Sequence, residues 1–278
     1  MTDTDSSPAS VLLAAYDEQT RARIPHTPPA GVTYEWDGPL LRTVGLYRGF
    51  VETHRDPRVR GAQLDSLIAR QRDYFAARGE AVEWKTRGHD LPADLTERLL
   101  AAGFRPEDPE TVVIGETAEL AAEPVLPEGV TLRQVTEEED LRRIAATHGE
   151  VWGEDHSWLA RDLAGRVAGG SDEFAVFAAE ARTADGPRVV SAAWITLKEG
   201  TDFAGLWGGS TLAAWRRRGI YRALVARRAQ LAAAHDVKYL QVDASPDSRP
   251  ILERLGLHAV TTTTPYVWTP PADPAKSG

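Results

Sequence analysis

Apolar residues recur along the chain at helical and at alternating spacing, and the two periods divide it into helices and strands. Pro8, after Ser6-Ser7, marks a helix start, and Val11, Leu12, Ala15 and Tyr16 line one face behind it. Pro25, Pro28 and Pro29 break that helix off. Leu40–Val51 is rich in β-formers and reads as a strand, interrupted by Gly45 and Gly49. Behind Gly61, residues Leu64, Leu67, Ile68 and Phe75 keep helical spacing as far as Gly79. Ala81–Thr86 then reads as strand, Asp94–Ala102 as a helix ended by Gly103-Phe104, and Thr111–Ile114 as strand.

A proline- and glycine-punctuated stretch, Ala121–Gly129, separates this half from the next. Val130–Val135 reads as strand. Thr136 and Glu139 have capping-box spacing, so the acidic run Glu137–Asp140 reads as a helix start rather than a binding site. Strands follow at Phe174–Glu180, Val189–Lys198 and Phe203–Thr211. A helix from Gly219 to about Ala234 puts Ile220, Leu224 and Leu231 on one face. Strand Val237–Asp243, a short helix at Pro250–Leu255 and β-rich Val260–Trp268 close the pattern.

The order of elements repeats. Arg60-Gly61, helix, strand, helix, Gly103-Phe104, strand matches Arg218-Gly219, helix, strand, helix, Gly256-Leu257, strand. Glycine at both turns and Gly-Phe or Gly-Leu at both helix ends favour duplication over chance recurrence of α/β patterns.

Composition narrows the class. Of 278 residues, 42% are hydrophobic and 26% charged, as in soluble globular proteins. There is no cysteine, which excludes disulfides, thiolate metal sites and cysteine nucleophiles. The net charge of −9, with arginines interspersed among acids, argues against nucleic acid and mildly favours cationic partners such as amines. Val11–Ala15 is too short for a signal core, and no run approaches the roughly 20 apolar residues of a membrane span. The expectation is a cytoplasmic monomer or homodimer without membrane association.

The densest chemistry lies in Trp215-Arg216-Arg217-Arg218-Gly219-Ile220-Tyr221-Arg222, a basic turn between a glycine-loosened strand and a helix. A helix start leaves backbone N–H groups unpaired and carries partial positive charge, so it suits a phosphate. Gly219 permits close backbone approach, and arginines fork onto phosphate oxygens. Neither the G-x-x-x-x-G-K-[ST] loop nor the G-x-G-x-x-G fingerprint is present.

From Val130 to about Trp268 the chain resembles the GNAT superfamily of acyl-CoA-dependent N-acyltransferases. Arg216-Arg217-Arg218-Gly219-Ile220-Tyr221 looks like that family's Q/R-x-x-G-x-G/A acetyl-CoA loop, with Tyr221 where Gly or Ala is usual. The resemblance implies an α/β (α+β) fold: a mixed, mostly antiparallel sheet with splayed central parallel strands, flanked by helices and preceded by a partial copy. It implies a degenerate domain over 1–121, a linker at 122–129, an N-acetyltransferase domain over 130–270 and a disordered tail at 271–278. Acetyl-CoA, as co-substrate, would place its pyrophosphate on Arg216, Arg217, Arg218, Gly219, Ile220 and Tyr221. Its pantetheine arm would follow Ser210, Thr211 and Leu212. The activity implied is direct transfer of acetyl to an amine of a small molecule or peptide.

Acid and base chemistry is less legible. A lysine-like amine has a pKa of about 10, so a positioned base helps. The family often draws one from the strand before the loop, yet Phe203–Thr211 holds no carboxylate. The family's usual tyrosine position is Leu252 here, and its usual asparagine is Ser245. Asp243 and Tyr266 are the substitutes chosen as catalytic candidates; turn capping and core packing are the plainer roles for them. Trp152, Glu154, Asp155 and His156 are the candidates for an acceptor pocket. His148, Glu150 and His156 form no metal motif, so no metal is expected. The departures also sustain an alternative, an acyl-CoA-binding module without turnover.

Overall fold

Ser7 accepts a hydrogen bond from Ser10 N–H through its Oγ at 3.3 Å and, with Pro8 behind it, starts α1 (Pro8–Thr20). The computed structural model describes residues 7–25, 28, 31–170, 172–184 and 186–271, so all of the expected tail except Pro271 lies outside the described residues. After α1 come β1 (Thr33–Asp37), β2 (Leu40–Val44) and β3 (Gly49–Thr53). The single strand expected over 40–51 is two strands. Gly45 turns the chain at φ +98°, and a Cβ there would sit 2.0 Å from the Gly31 carbonyl oxygen. Next are α2 (Gly61–Arg78), β4 (Val82–Arg87), α3 (Leu95–Ala101), β5 (Arg105–Pro106), β6 (Glu110–Glu116) and α4 (Thr117–Leu120).

The second half begins with β7 (Val130–Val135), α5 (Glu138–Trp152), α6 (Ser157–Ala168), β8 (Phe174–Thr183) and β9 (Gly186–Leu197). It continues with β10 (Phe203–Thr211), α7 (Ile220–Ala234), β11 (Tyr239–Ala244), α8 (Arg249–Arg254) and β12 (His258–Trp268). The capping box expected at Thr136 and Glu139 does not form. Glu137 caps α5 without a side-chain hydrogen bond, and Glu139 pairs with Arg142 at 2.7 Å. Glu138, Glu139 and Asp140 in the first turn complement the positive end of the helix dipole instead.

These elements form two compact units. The first takes the described residues of Met1–Val113, Asp243–Ile251 and Ala259–Gly278; the second takes Ile114–Val242 and Leu252–His258. The last strand therefore belongs with the first unit, where the resemblance implied one domain over 130–270. In the first unit β1, β2 and β3 are antiparallel neighbours, β3 pairs parallel with β4, and β4 pairs antiparallel with β12. Its core gathers Leu40, Leu64, Ile68, Phe75, Trp84 and Phe104.

In the second unit β7, β8, β9 and β10 are successive antiparallel neighbours, and β10 pairs parallel with β11. Helices cover both faces of this sheet. Val176 of β8 is buried with Leu141, Ile144, Leu159 and Leu163 of α5 and α6. Phe177, the next residue, points the other way, and Arg227 of α7 lies over its ring at 5.8 Å. Each unit is mixed and mostly antiparallel, with one parallel pair joined through a helix.

Candidate active site

The parallel pair of the second unit opens as it runs. Phe203, Ala204 and Gly205 of β10 register with Tyr239, Leu240 and Gln241 of β11. No pairing with β11 continues beyond Gly205, although β10 runs on to Thr211. On its other side β10 bulges against β9: Trp207 faces Trp194 and Ser210 faces Ala192, leaving Gly208-Gly209 as the extra length. Both positions require glycine. Gly208 has φ +62°, and a Cβ there would lie 2.0 Å from the Trp194 ring; at Gly209 a Cβ would lie 2.7 Å from the Tyr221 ring.

Past the bulge, Ser191 donates from Oγ to the Ser210 carbonyl at 2.6 Å and meets Thr211 Oγ1 at 2.7 Å. Leu212 N–H donates to the Val190 carbonyl at 2.9 Å. The Ser210 Oγ itself is buried with no hydrogen-bond partner. The backbone then makes a 3-10 turn at Ala213–Trp215 and enters the basic loop. Arg216 Nε donates to the Thr211 carbonyl at 3.1 Å, and the Arg218 guanidinium lies 4.8 Å from the Trp215 ring centre. Gly219 holds the left-handed conformation at φ +85° and ψ −7° as the N-cap of α7.

That helix start is uncapped. The first bond into it is Ala223 N–H to the Gly219 carbonyl at 3.0 Å, and no side chain caps it. The backbone N–H groups of residues 217–222 donate to no described residue. Among the described residues no carboxylate pairs with Arg216, Arg217, Arg218 or Arg222. Unpaired amides, a helix dipole and unneutralised guanidiniums together make an anion-binding loop, and the orphan Ser210 hydroxyl lies on the strand leading to it. Ser210, Thr211, Leu212 and Arg216–Tyr221 thus form one continuous segment along the open strand edge and the helix start.

The catalytic candidates have partners of their own. Asp243, at the end of β11, forms an ion pair with Lys85 of β4, and both side chains are largely buried. Burial opposes the lysine charge, but Asp243 outweighs it and holds Lys85 above its ordinary pKa. Asp243 is therefore a salt-bridged carboxylate of the first unit. Tyr266 stands opposite Trp84 on β12 and is buried in the first unit's core. Leu252, at the position of the family's tyrosine, is fully buried.

Of the acceptor candidates, Trp152 is exposed at the last residue of α5. Asp155 accepts the Ser157 N–H at 2.8 Å, which lowers its pKa and occupies it at the start of α6. His156 donates from Nδ1 to the Glu154 carbonyl at 3.3 Å, which ties these two together.

Two residues at the bulge were not singled out for this chemistry by the sequence. His148 of α5 is 4% exposed and bonds through Nε2 to the Gly208 carbonyl at 3.0 Å. A carbonyl only accepts, so Nε2 carries the hydrogen. Burial pulls the His148 pKa down to about 4, more than the Gly208 bond restores, and the ring is neutral at pH 7. From α7, the buried Arg228 donates to the Trp194 carbonyl at 3.1 Å and the Trp207 carbonyl at 3.3 Å. Burial lowers its pKa to about 10, which leaves it charged. Helical spacing from Leu141, Ile144 and Ala145 does place His148 on the buried face of α5, but nothing in the sequence reports the bulge it meets. Among the described residues no group of three or more His, Asp or Glu is placed to hold a metal ion, and no helix is long and apolar enough to cross a membrane.

No protein-family model matches the sequence, and no curated protein matches it. Solved structures do. A GCN5-related N-acetyltransferase from Kribbella flavida shares 18% identity with a TM-score of 0.65 over 96% of each chain. A tandem GNAT protein from the clavulanic acid biosynthesis pathway shares 16% identity with a TM-score of 0.60, over 98% of this chain and 97% of that one. A GCN5-related N-acetyltransferase from Sphaerobacter thermophilus shares 17% identity with a TM-score of 0.58, over 84% of this chain and 82% of that one. At these identities the likeness is one of fold, and it spans both halves: the chain has the fold of the GCN5-related N-acetyltransferases.

Proposed function

We propose that this chain is an acyl-CoA-dependent N-acyltransferase that moves acetyl from acetyl-CoA directly to the amine of a small-molecule or peptide acceptor. The observation that carries this reading is the uncapped, unneutralised start of α7 at the end of a bulged and splayed strand. The amides of Arg217–Tyr221 would hold the pyrophosphate, and Arg216, Arg217 and Arg218 would add charge. The open edge of Ser210–Leu212 and the orphan Ser210 hydroxyl would take the polar groups of the pantetheine arm. A backbone N–H of β10 near the bulge would polarise the acyl carbonyl, the arrangement that stabilises developing negative charge. Trp152, Glu154, Asp155 and His156 would form an aromatic and acidic rim suited to a cationic amine. The names of the solved structures it resembles support the same activity.

Three observations favour a second reading, acyl-CoA binding without turnover. Asp243 is held in an ion pair, Tyr266 is packed in a core, and Leu252 has no proton to give. Titration calorimetry with acetyl-CoA, followed by thiol release with a panel of primary amines, separates the two. The expected result is one acetyl-CoA bound per chain and amine-dependent thiol release. Binding without release to any amine selects the second reading, and no binding removes both.

A further inference from the structure

The loop and the strand edge say where an acyl donor lies but leave the proton unassigned. A donor anchored on the amides of 217–222 and laid along the open edge of β10 runs toward the point where β10 and β11 close, at Gly205 and Gln241. Gly208 lies three residue steps before Thr211, about 10 Å at a strand's rise of roughly 3.3 Å per residue. The reacting end therefore comes to the Gly208-Gly209 bulge, which His148 touches.

Resting on the acyltransferase reading, we propose that His148 is the base of the reaction. Its Nδ1 takes the proton from the acceptor amine, directly or through one water, while Nε2–H stays bonded to the Gly208 carbonyl. The step balances. The amine nitrogen forms a bond to the acyl carbon, the carbon–sulfur bond breaks, and sulfur leaves with the electron pair and gains a proton from solvent. The amine's proton passes to Nδ1 and then to water.

Three features support this role. The Gly208 carbonyl fixes the tautomer, as a second hydrogen bond commonly does for a working histidine. With Nε2–H donating, Nδ1 is the lone-pair nitrogen, and no described residue bonds to it. Ring neighbours also lead outward: Trp194 and His156 lie 5.4 and 5.9 Å from His148, and Trp158 lies 6.0 Å from His156. Trp158 is 54% exposed, so the series ends in solvent. Among the described residues, few charged or titratable groups face His148. His156 at the start of α6 opposes its protonation, Arg228 of α7 holds the carbonyls of Trp194 and Trp207, and Glu150 farther along α5 is paired to Arg188. β9 and β10 present Trp194 and Gly208 to it.

The test uses the full chain, acetyl-CoA, and benzylamine as acceptor, with water as acceptor where benzylamine is refused. His148→Gln keeps a donor at the place of Nε2 and removes the basic nitrogen; His148→Ala removes both. Acetyl-CoA affinity is expected to stay within about threefold of the parent in His148→Gln. Thiol release is expected to fall about 10- to 100-fold in both variants, the low end of a positioned base's worth because the buried ring is only weakly basic. Side-chain nitrogen NMR is expected to show the Nε2–H form of His148 from pH 5 to 8. Full activity in His148→Gln beside an inactive His148→Ala would mean that the residue only holds the bulge, and the proposal falls. It falls too if the ring carries its hydrogen on Nδ1, or if the parent binds acetyl-CoA yet releases no thiol to benzylamine or water. Failure of the parent to bind acetyl-CoA would instead strike the reading on which the proposal rests.

Discussion

In the first unit the turn before α2 reads Arg58-Val59-Arg60-Gly61, and in the second the turn before α7 reads Arg216-Arg217-Arg218-Gly219. Each follows a strand, opens a helix and leads to a strand parallel to the first, and each glycine is left-handed, at φ +54° and +85°. Their electrostatics differ. Asp56 accepts the Arg58 N–H at 2.7 Å and binds the Arg60 guanidinium through both oxygens at 2.8 Å, and these bonds hold its pKa down to about 2. The strands beyond are also tied: Leu91 N–H donates to the Arg55 carbonyl at 2.9 Å, and Arg87 pairs with Glu52 at 3.1 Å. The second turn has no internal carboxylate, and its strands separate. A basic turn thus becomes an anion site only where the chain does not supply the anion itself. One aspartate, two positions before Arg58, distinguishes the copies.

The sharpest break of this comparison is a matched pair, Gly219→Trp and Gly61→Trp. Both glycines are left-handed and neither has a neighbour closer than 3.7 Å to an added Cβ, so the backbone strain is similar, about 1 kcal/mol. Gly219→Trp is expected to weaken acetyl-CoA at least ~100-fold by covering the amides, about 2.7 kcal/mol, while Gly61→Trp leaves affinity unchanged. Equal losses in calorimetry would make the turns equivalent and the assignment wrong.

A smaller effect is expected from charge. Replacing Arg216, Arg217 and Arg218 together by Gln should weaken acetyl-CoA by about tenfold and flatten its dependence on salt, because exposed arginines are screened. The same change at Arg58 and Arg60 should leave affinity and its salt slope unmoved. A tenfold loss from the first-unit variant would show that Asp56 does not neutralise its turn.

Much of this was legible in the sequence where local signals decide. The strands Val130–Val135 and Phe203–Thr211 fall where periodicity puts them, as does the helix behind Gly219. The basic loop was found because a helix start, a glycine and arginines act through the backbone nearest to them. The reading failed where distant partners decide. β1 went unread although Tyr34 and Trp36 alternate with polar residues; its burial does not follow that alternation. The strand over 40–51 hid a turn whose cause is the Gly31 carbonyl, remote in sequence. Tyr266, a catalytic candidate on the last strand, pairs with Trp84 in the first unit's core, the packing role that was the plainer reading of it. His148 shows the same limit: its helix face was readable, but the carbonyl it meets belongs to a bulge 60 residues on.

The smallest effect expected is on stability, and it runs in opposite senses in the two units. In the first, burial raises Glu110 to about 7, with Asp243, Glu83 and Glu107 adding to the rise and Lys85 opposing it. Its folded pKa lies above its unfolded value of about 4.3, so its contribution is present below that value and is lost as pH rises toward 7. In the second, His148 is held near 4, below its unfolded value of about 6.5. Its unfolded form takes up the proton first, so stability is lost as pH falls from 6.5 toward 4. Relative to the parent, Glu110→Gln should therefore gain about 1 kcal/mol at pH 8 and nothing at pH 4.5. His148→Gln should show the mirror image, gaining about 1 kcal/mol on acidification from pH 7 to 4.5. Melting temperatures should follow by about 2–4 °C, read across that range in one buffer system. Parallel pH profiles for the two variants would contradict the assignment of a half-buried acid of raised pKa to one unit and a buried neutral base to the other.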